Sequence, residues 1–127
     1  MLPFSIELKL GLPITEQVIF AVKKAVVAGR MKPGTSFPSV RALSQELRIN
    51  PNTAHKIIAT LVDEGVLVTT PAVGSVVAEP AATDHQARAA LLDHDLEHLV
   101  VEAKKLGLDL DEIQSELAAH WKRLGKK

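Results

Sequence analysis

Asn50 followed at once by Pro51 is the feature that most constrains this 127-residue chain. Asn is a favoured helix cap because its side-chain oxygen receives an orphan backbone N–H, and Pro suits the first helical position because its ring presets φ. Behind this start, Ala54, Ile57, Ile58, Leu61 and Val62 recur at helical spacing, and Gly65 closes the segment. Asn52, Thr53, His55, Lys56 and Thr60 are left to face elsewhere. Immediately upstream, a shorter helix is expected over 39–47, capped by Ser39, with Val40, Leu43, Ser44 and Leu47 as its inward stripe. Only Arg48-Ile49-Asn50 separates the two. Two short amphipathic helices with so brief a break are a helix-turn-helix pattern.

The flanking segments complete a small domain. Phe4 to Leu10 alternates apolar and polar residues, which reads as a short strand or an extended arm. From Pro13, the residues Ile14, Val18, Val22, Ala25 and Val26 predict a helix over about 14–28, with Gly29 at the left-handed cap. Lys32-Pro33-Gly34-Thr35 is a turn. After the third helix, Val66 to Thr69 and Ser75 to Ala78 read as two strands of a hairpin around Pro71-Ala72-Val73-Gly74. Glu79 to Thr83 has the composition of a linker.

This order of elements points to double-stranded DNA. An α-helix enters the major groove, so short polar side chains at its start can reach base edges. Asn50, Asn52 and Thr53 are such groups, with His55 and Lys56 within one more turn. The helix start near Ser39 offers free N–H groups to a phosphate, and Arg41 can add a bidentate contact. Taken singly, Ser39 and Asn50 are caps, Lys56 is a solvated lysine and the hairpin is packing. The ordered set of helix, helix, turn, polar-tipped helix and hairpin wing tips the balance.

Composition narrows the alternatives. The chain has no cysteine, which removes disulfides and thiolate metal sites, and one Trp, three Phe and no Tyr, too few for a base-stacking platform. Its formal net charge of zero divides into +2 for residues 1–80 (eight basic, six acidic) and −2 for 81–127 (seven basic, nine acidic). That split permits DNA binding by the first segment without arguing for it. No apolar run approaches the roughly 18 residues of a membrane span, and Met1 to Lys9 lacks the pattern of a signal peptide, so a cytoplasmic protein is expected. Nothing resembles a phosphate loop or a metalloprotease motif, so neither an enzyme nor a cofactor is expected.

Several spaced strings carry a family resemblance: Gly29 to Gly34, Phe37-Pro38-Ser39-Val40-Arg41-Ala42-Leu43, Leu47 to Thr53, and Leu61 to Leu67. Together they resemble the GntR family, and the Pro-Ser-Val-Arg and Asn-Pro-Asn-Thr pair is similar to its short, YtrA-like branch. The resemblance covers about residues 6–79 and implies a winged helix-turn-helix followed by a two-helix tail, a mainly α fold with a small β-hairpin. It implies a regulator, by family habit a repressor, that meets an inverted-repeat operator as a homodimer. By the family pattern Arg41, Asn52, Thr53 and Lys56 contact DNA, with Ser39, Asn50, Pro51 and His55 around them and Thr70 and Gly74 in the wing. One departure stands out. Family members often carry arginines on either side of the wing glycine, whereas Thr69 to Ser75 holds no positive charge. A shallower salt dependence of binding is therefore expected.

Residues 84–125 form the expected dimerisation segment. Leu92, Leu96, Leu99, Ala103 and Leu106 step by four, three, four and three, a coiled-coil spacing, before Gly107 stops the helix. Asp109 with Glu112 starts another helix as a capping box, and Ile113, Leu117, Trp121 and Leu124 form its stripe. Trp121 reads as an interface anchor, with a pocket for an unidentified small-molecule effector as the other reading. His94 and His98 have a spacing able to hold a metal, although solvated positions on an amphipathic helix explain them as well. A different class of function, a protein-interaction module with weak or no DNA binding, is favoured by the uncharged wing alone.

Overall fold

The structure is a computed structural model that describes residues 2–80 and 84–125. It divides into two compact units, residues 1–80 and 81–127. The first contains α1 (Ile14–Val27), α2 (Val40–Leu47), α3 (Pro51–Asp63), β1 (Leu67–Thr70) and β2 (Gly74–Val77). Helix α3 is central to it, packing against α1, α2 and β1.

One apolar stripe from each element builds the core. Val18, Val22 and Ala25 come from α1, Leu43 from α2, Ala54, Ile57 and Leu61 from α3, and Leu67 and Val77 from the hairpin. These spacings follow the helical period, so each helix turns a single apolar face inward. Met31 and Phe37 fill the core from the α1–α2 connection. Phe4 completes it, its ring stacked on that of Phe37 with centroids 5.9 Å apart and planes 5° from parallel.

The N-terminal segment is an extended arm rather than a strand, for Phe4 to Leu10 has no strand partner among the described residues. Its alternation is only half used. Phe4 and Ile6 pack on the core, while Leu8 and Leu10 stay exposed. Gln17 of α1 pins the end of the arm: its amide oxygen accepts from the Lys9 N–H at 2.8 Å, and its amide nitrogen donates to the Lys9 and Leu12 carbonyls, each at 3.0 Å. Pro13 precedes α1 as its N-cap instead of occupying the first turn.

The hairpin lies one residue nearer its tip than the β-branched runs suggest, because the Val66 N–H is used to close α3 onto the Leu61 carbonyl. Residues 34–37 lie along β2 as a third extended segment. Gly34 N–H donates to Val77, Val77 N–H to Thr35 and Phe37 N–H to Ser75, all at 2.8 Å, with Ser36 opposite Val76. The wing is thereby tied by backbone bonds to the segment that leads into α2.

The second unit contains α4 (His85–Ala89), a π-helical stretch (Ala90–Asp95), α5 (Leu96–Lys105) and α6 (Leu110–Arg123). Asp84 caps α4 by accepting from the Ala87 N–H at 3.0 Å. Asp109 and Glu112 form the expected capping box, with reciprocal bonds of 2.9 and 3.0 Å. The even coiled-coil spacing is not realised along one regular α-helix. In the π-helical stretch each N–H reaches one residue further back, so the turn is wide and the face before it is rotated relative to the face after it. Leu92 falls in that stretch, out of line with Leu96 and Leu99, and Leu106 is the C-cap of α5. Ala103 is the one buried residue among those described in this unit.

Candidate nucleic-acid interface

Two capped helices and a three-residue corner build the candidate reading head. Ser39 is extended and its Oγ accepts from the Ala42 N–H at 3.1 Å, so α2 starts cleanly while its remaining first-turn N–H groups stay available. Asn50 Oδ1 accepts from the Asn52 N–H at 2.7 Å, and Pro51 occupies the first position of α3, as the local sequence implies. Both caps therefore have a structural task, which leaves the Asn50 side-chain NH₂ and the Ser39 hydroxyl proton as donors.

Helix α3 divides sharply between its faces. Ala54, Ile57 and Leu61 are wholly buried, while Asn52, His55 and Lys56 are exposed and Thr53 is half-buried. The apolar face anchors the helix and leaves a polar edge at its start. Arg41 is exposed on α2. Lys56 and Thr60 stand further along α3, lining a groove of about 580 Å³ shared with Ile19, Phe20 and Lys23 of α1. Lys23 also pairs with Glu64 beyond the end of α3 at 2.5 Å, a surface ion pair that contributes little to stability.

The corner between α2 and α3 holds what the residue pattern did not reveal. Arg48 adopts a left-handed conformation, φ 56° and ψ 49°, at the end of α2. Ser44, read from sequence as part of an inward stripe, clamps this corner three ways. Its carbonyl accepts from the Arg48 N–H and, at 3.0 Å, from the Ile49 N–H, and its hydroxyl donates to the Ile49 carbonyl at 2.7 Å. The absence of Gly at the corner was a sequence signal for some compensating bond, but not for which side chain would make it.

At the wing, Thr70 pairs with Gly74 and its carbonyl accepts from the Val73 N–H at 3.1 Å, closing a loop of Pro71, Ala72 and Val73. Gly74 has φ 96°, and a Cβ there would meet nothing within 4 Å, so backbone conformation and not space calls for glycine. The strand-like run of residues 34–37 proceeds along β2 toward this tip, so α2 begins on the tip side of the hairpin. Ser39, Arg41, the α3 start and the wing thus belong to one compact unit joined by backbone hydrogen bonds.

The remaining candidates lie in the tail. Leu92, Leu96, Leu99, Leu106, Leu117 and Trp121 are all exposed, Trp121 at 64%, and Ile113 is half-buried. Ala103, grouped with them by spacing, is buried instead. A cleft of about 200 Å³ lies among Val100, Ala103, Leu108, Leu110 and Ile113. Ile113 of the α6 stripe lines it, and Trp121 does not. His94 lies in the π-helical stretch and His98 in α5. No group of three or more His, Asp or Glu suited to a metal occurs among the described residues. No helix among them is long and apolar enough to cross a membrane.

Comparison with known proteins agrees with this geometry. The model of the bacterial regulatory proteins of the gntR family matches residues 14–77. The HTH-type transcriptional repressor YtrA of Bacillus subtilis (strain 168) is 33% identical over 102 residues, 80% of this chain and 78% of that protein. A crystal structure described as a transcriptional antiterminator from Listeria monocytogenes EGD-e superposes with a TM-score of 0.84 at 25% identity, covering 98% of this chain and 93% of that one. YtrA from Sulfolobus acidocaldarius, described as a GntR-family transcription factor, gives a TM-score of 0.55 at 26% identity, covering 96% and 99%.

Proposed function

Because this chain belongs to the GntR family of bacterial regulatory proteins and is a DNA-binding transcription regulator, we propose that it is a cytoplasmic repressor that reads an inverted-repeat operator as a homodimer. The observation that carries the reading is the division of α3, fully buried on one side and open and polar at its start. A helix held in that way can present Asn52 and Thr53 to base edges while Arg41 and the α2 start meet the backbone. His55, Pro51 and Asn50 complete the surface, Lys56 adds charge further along the groove, and Thr70 and Gly74 bring the wing alongside.

The tail supports the dimeric reading. Its described residues bury one side chain and expose Leu96, Leu99 and Leu117, apolar side chains that a partner can cover. A second copy supplies the same surface under two-fold symmetry, matching a two-fold operator. Repression is carried over from the relative named a repressor. An effector, if this regulator responds to one, is expected to register at the single Trp121.

The deciding experiment is fluorescence anisotropy with the chain's own promoter region. Asn52→Ala is expected to weaken binding by about 1–3 kcal/mol per half-site, the usual worth of a base contact, and Arg41→Ala to weaken binding to all sequences alike and to lower the salt slope. The uncharged wing tip favours a second reading, a protein-interaction module. Wild-type chain that binds the promoter no better than unrelated DNA would support that reading and sink the first.

A further inference from the structure

We propose that Arg48 is a phosphate-contacting residue, placed at the helix-turn-helix corner and supplying charge that the wing lacks. Three observations converge on it. First, its backbone is left-handed, φ 56° and ψ 49°, a conformation that a side chain other than glycine adopts only at a cost in stability. Second, that conformation is held in place. Ser44 receives both the Arg48 and Ile49 N–H groups and returns its hydroxyl to the Ile49 carbonyl at 2.7 Å. A strained position over-determined by its surroundings is a mark of function, because a glycine would serve the turn alone at less cost. Third, the guanidinium is unengaged. Arg48 is exposed and makes no ion pair or side-chain hydrogen bond with any other described residue.

Position selects the kind of contact. Arg48 comes two residues before the Asn50 cap, outside the end of α3 that the DNA-binding reading directs at the groove. Groups at and behind the cap reach the groove floor, whereas a long cation before it stands over the groove wall, which is lined by phosphates. The wing offers no competing cation, since Thr69 to Ser75 contains neither Lys nor Arg. Arg48 therefore adds affinity without reading sequence.

The inference rests on the DNA-binding reading, so wild-type binding is established first on two labelled duplexes. One is recovered by the full chain from a random-sequence pool, and the other is a shuffled duplex of the same composition. The full chain is then compared with Arg48→Gly, Arg48→Ala and Arg48→Lys. Arg48→Gly is expected to melt higher than wild type yet bind both duplexes about sixtyfold more weakly at about 0.1 M salt, since the dimer loses one contact from each copy. The slope of log affinity against log salt is expected to fall by about 1.8, the value for two phosphate contacts, one from each copy in the dimer. Arg48→Ala should bind as weakly as Arg48→Gly without the gain in melting temperature, and Arg48→Lys should recover the slope. Wild-type affinity and slope in Arg48→Gly overturn the proposal. Weakening confined to the recovered duplex also overturns it, by making Arg48 a base contact. A lower melting temperature for Arg48→Gly overturns the argument from strain.

Discussion

Truncating Phe4 to Ala should unfold the arm and destabilise the whole first unit, although Phe4 is only the fourth residue of the chain. The ring is 6% exposed and lies flat against Phe37 at 5.9 Å, in the range where aromatic pairs attract beyond their buried area. Phe→Ala in a core costs about 3–5 kcal/mol. The lower end applies here, since an extended arm that belongs to no strand can lift away and relieve the cavity. For a unit of this size about 1 kcal/mol corresponds to roughly 4–8 °C in melting temperature, so a loss of about 3 kcal/mol predicts a drop of roughly 12–24 °C. Leu10→Ala is the matched control. It belongs to the same alternating segment but is fully exposed, and its removal should change stability by no more than about 0.5 kcal/mol. Thermal melts by circular dichroism compare the two, and limited trypsin digestion at Lys9 reports release of the arm. If Phe4→Ala and Leu10→Ala melt together, the stacked pair does not anchor the arm and the reasoning fails.

Other consequences are open to direct measurement. Ser44→Ala removes one partly buried hydrogen bond at the corner and should cost about 1 kcal/mol; a melt indistinguishable from wild type would show that the clamp is dispensable. Ala72 holds φ 68° in the wing loop, so Ala72→Gly should relieve about 1–2 kcal/mol of strain. Glycine's greater freedom in the unfolded chain returns about 0.5–1 kcal/mol of that, leaving a small net stabilisation that a denaturant midpoint can resolve. Leu96→Glu places a charge on the exposed tail surface and should shift sedimentation from dimer to monomer, with α-helical content retained. An unchanged sedimentation coefficient would remove this face of α5 from the interface.

Much of the candidate reading head is legible in the sequence because it rests on local chemistry. Ser39 and Asn50 cap helices through bonds to residues two or three positions away, and Asp109 with Glu112 does the same in the tail. Such contacts are decided within a single turn, so residue type and spacing suffice. The corner at Arg48 is harder to read. Its conformation depends on Ser44, whose hydroxyl can serve a helix stripe, a surface or a clamp, and only the folded path of the chain brings it to the Ile49 carbonyl.

By itself the sequence determined the number, order and type of the elements in the DNA-binding unit, along with the face each helix turns to the core. Those properties follow from periodicity and capping, which act over a few residues. Tertiary structure alone decided that Phe4 and Ile6 are covered while Leu8 and Leu10, on the same face of the alternating segment, are not, because the length of arm that meets the core depends on partners such as Phe37 that lie far away in sequence. It decided that residues 34–37 join the wing, through backbone groups that carry no side-chain signature. It also decided that the tail departs from one continuous apolar seam, since a π-helical turn changes the phase of side chains without changing their spacing in sequence.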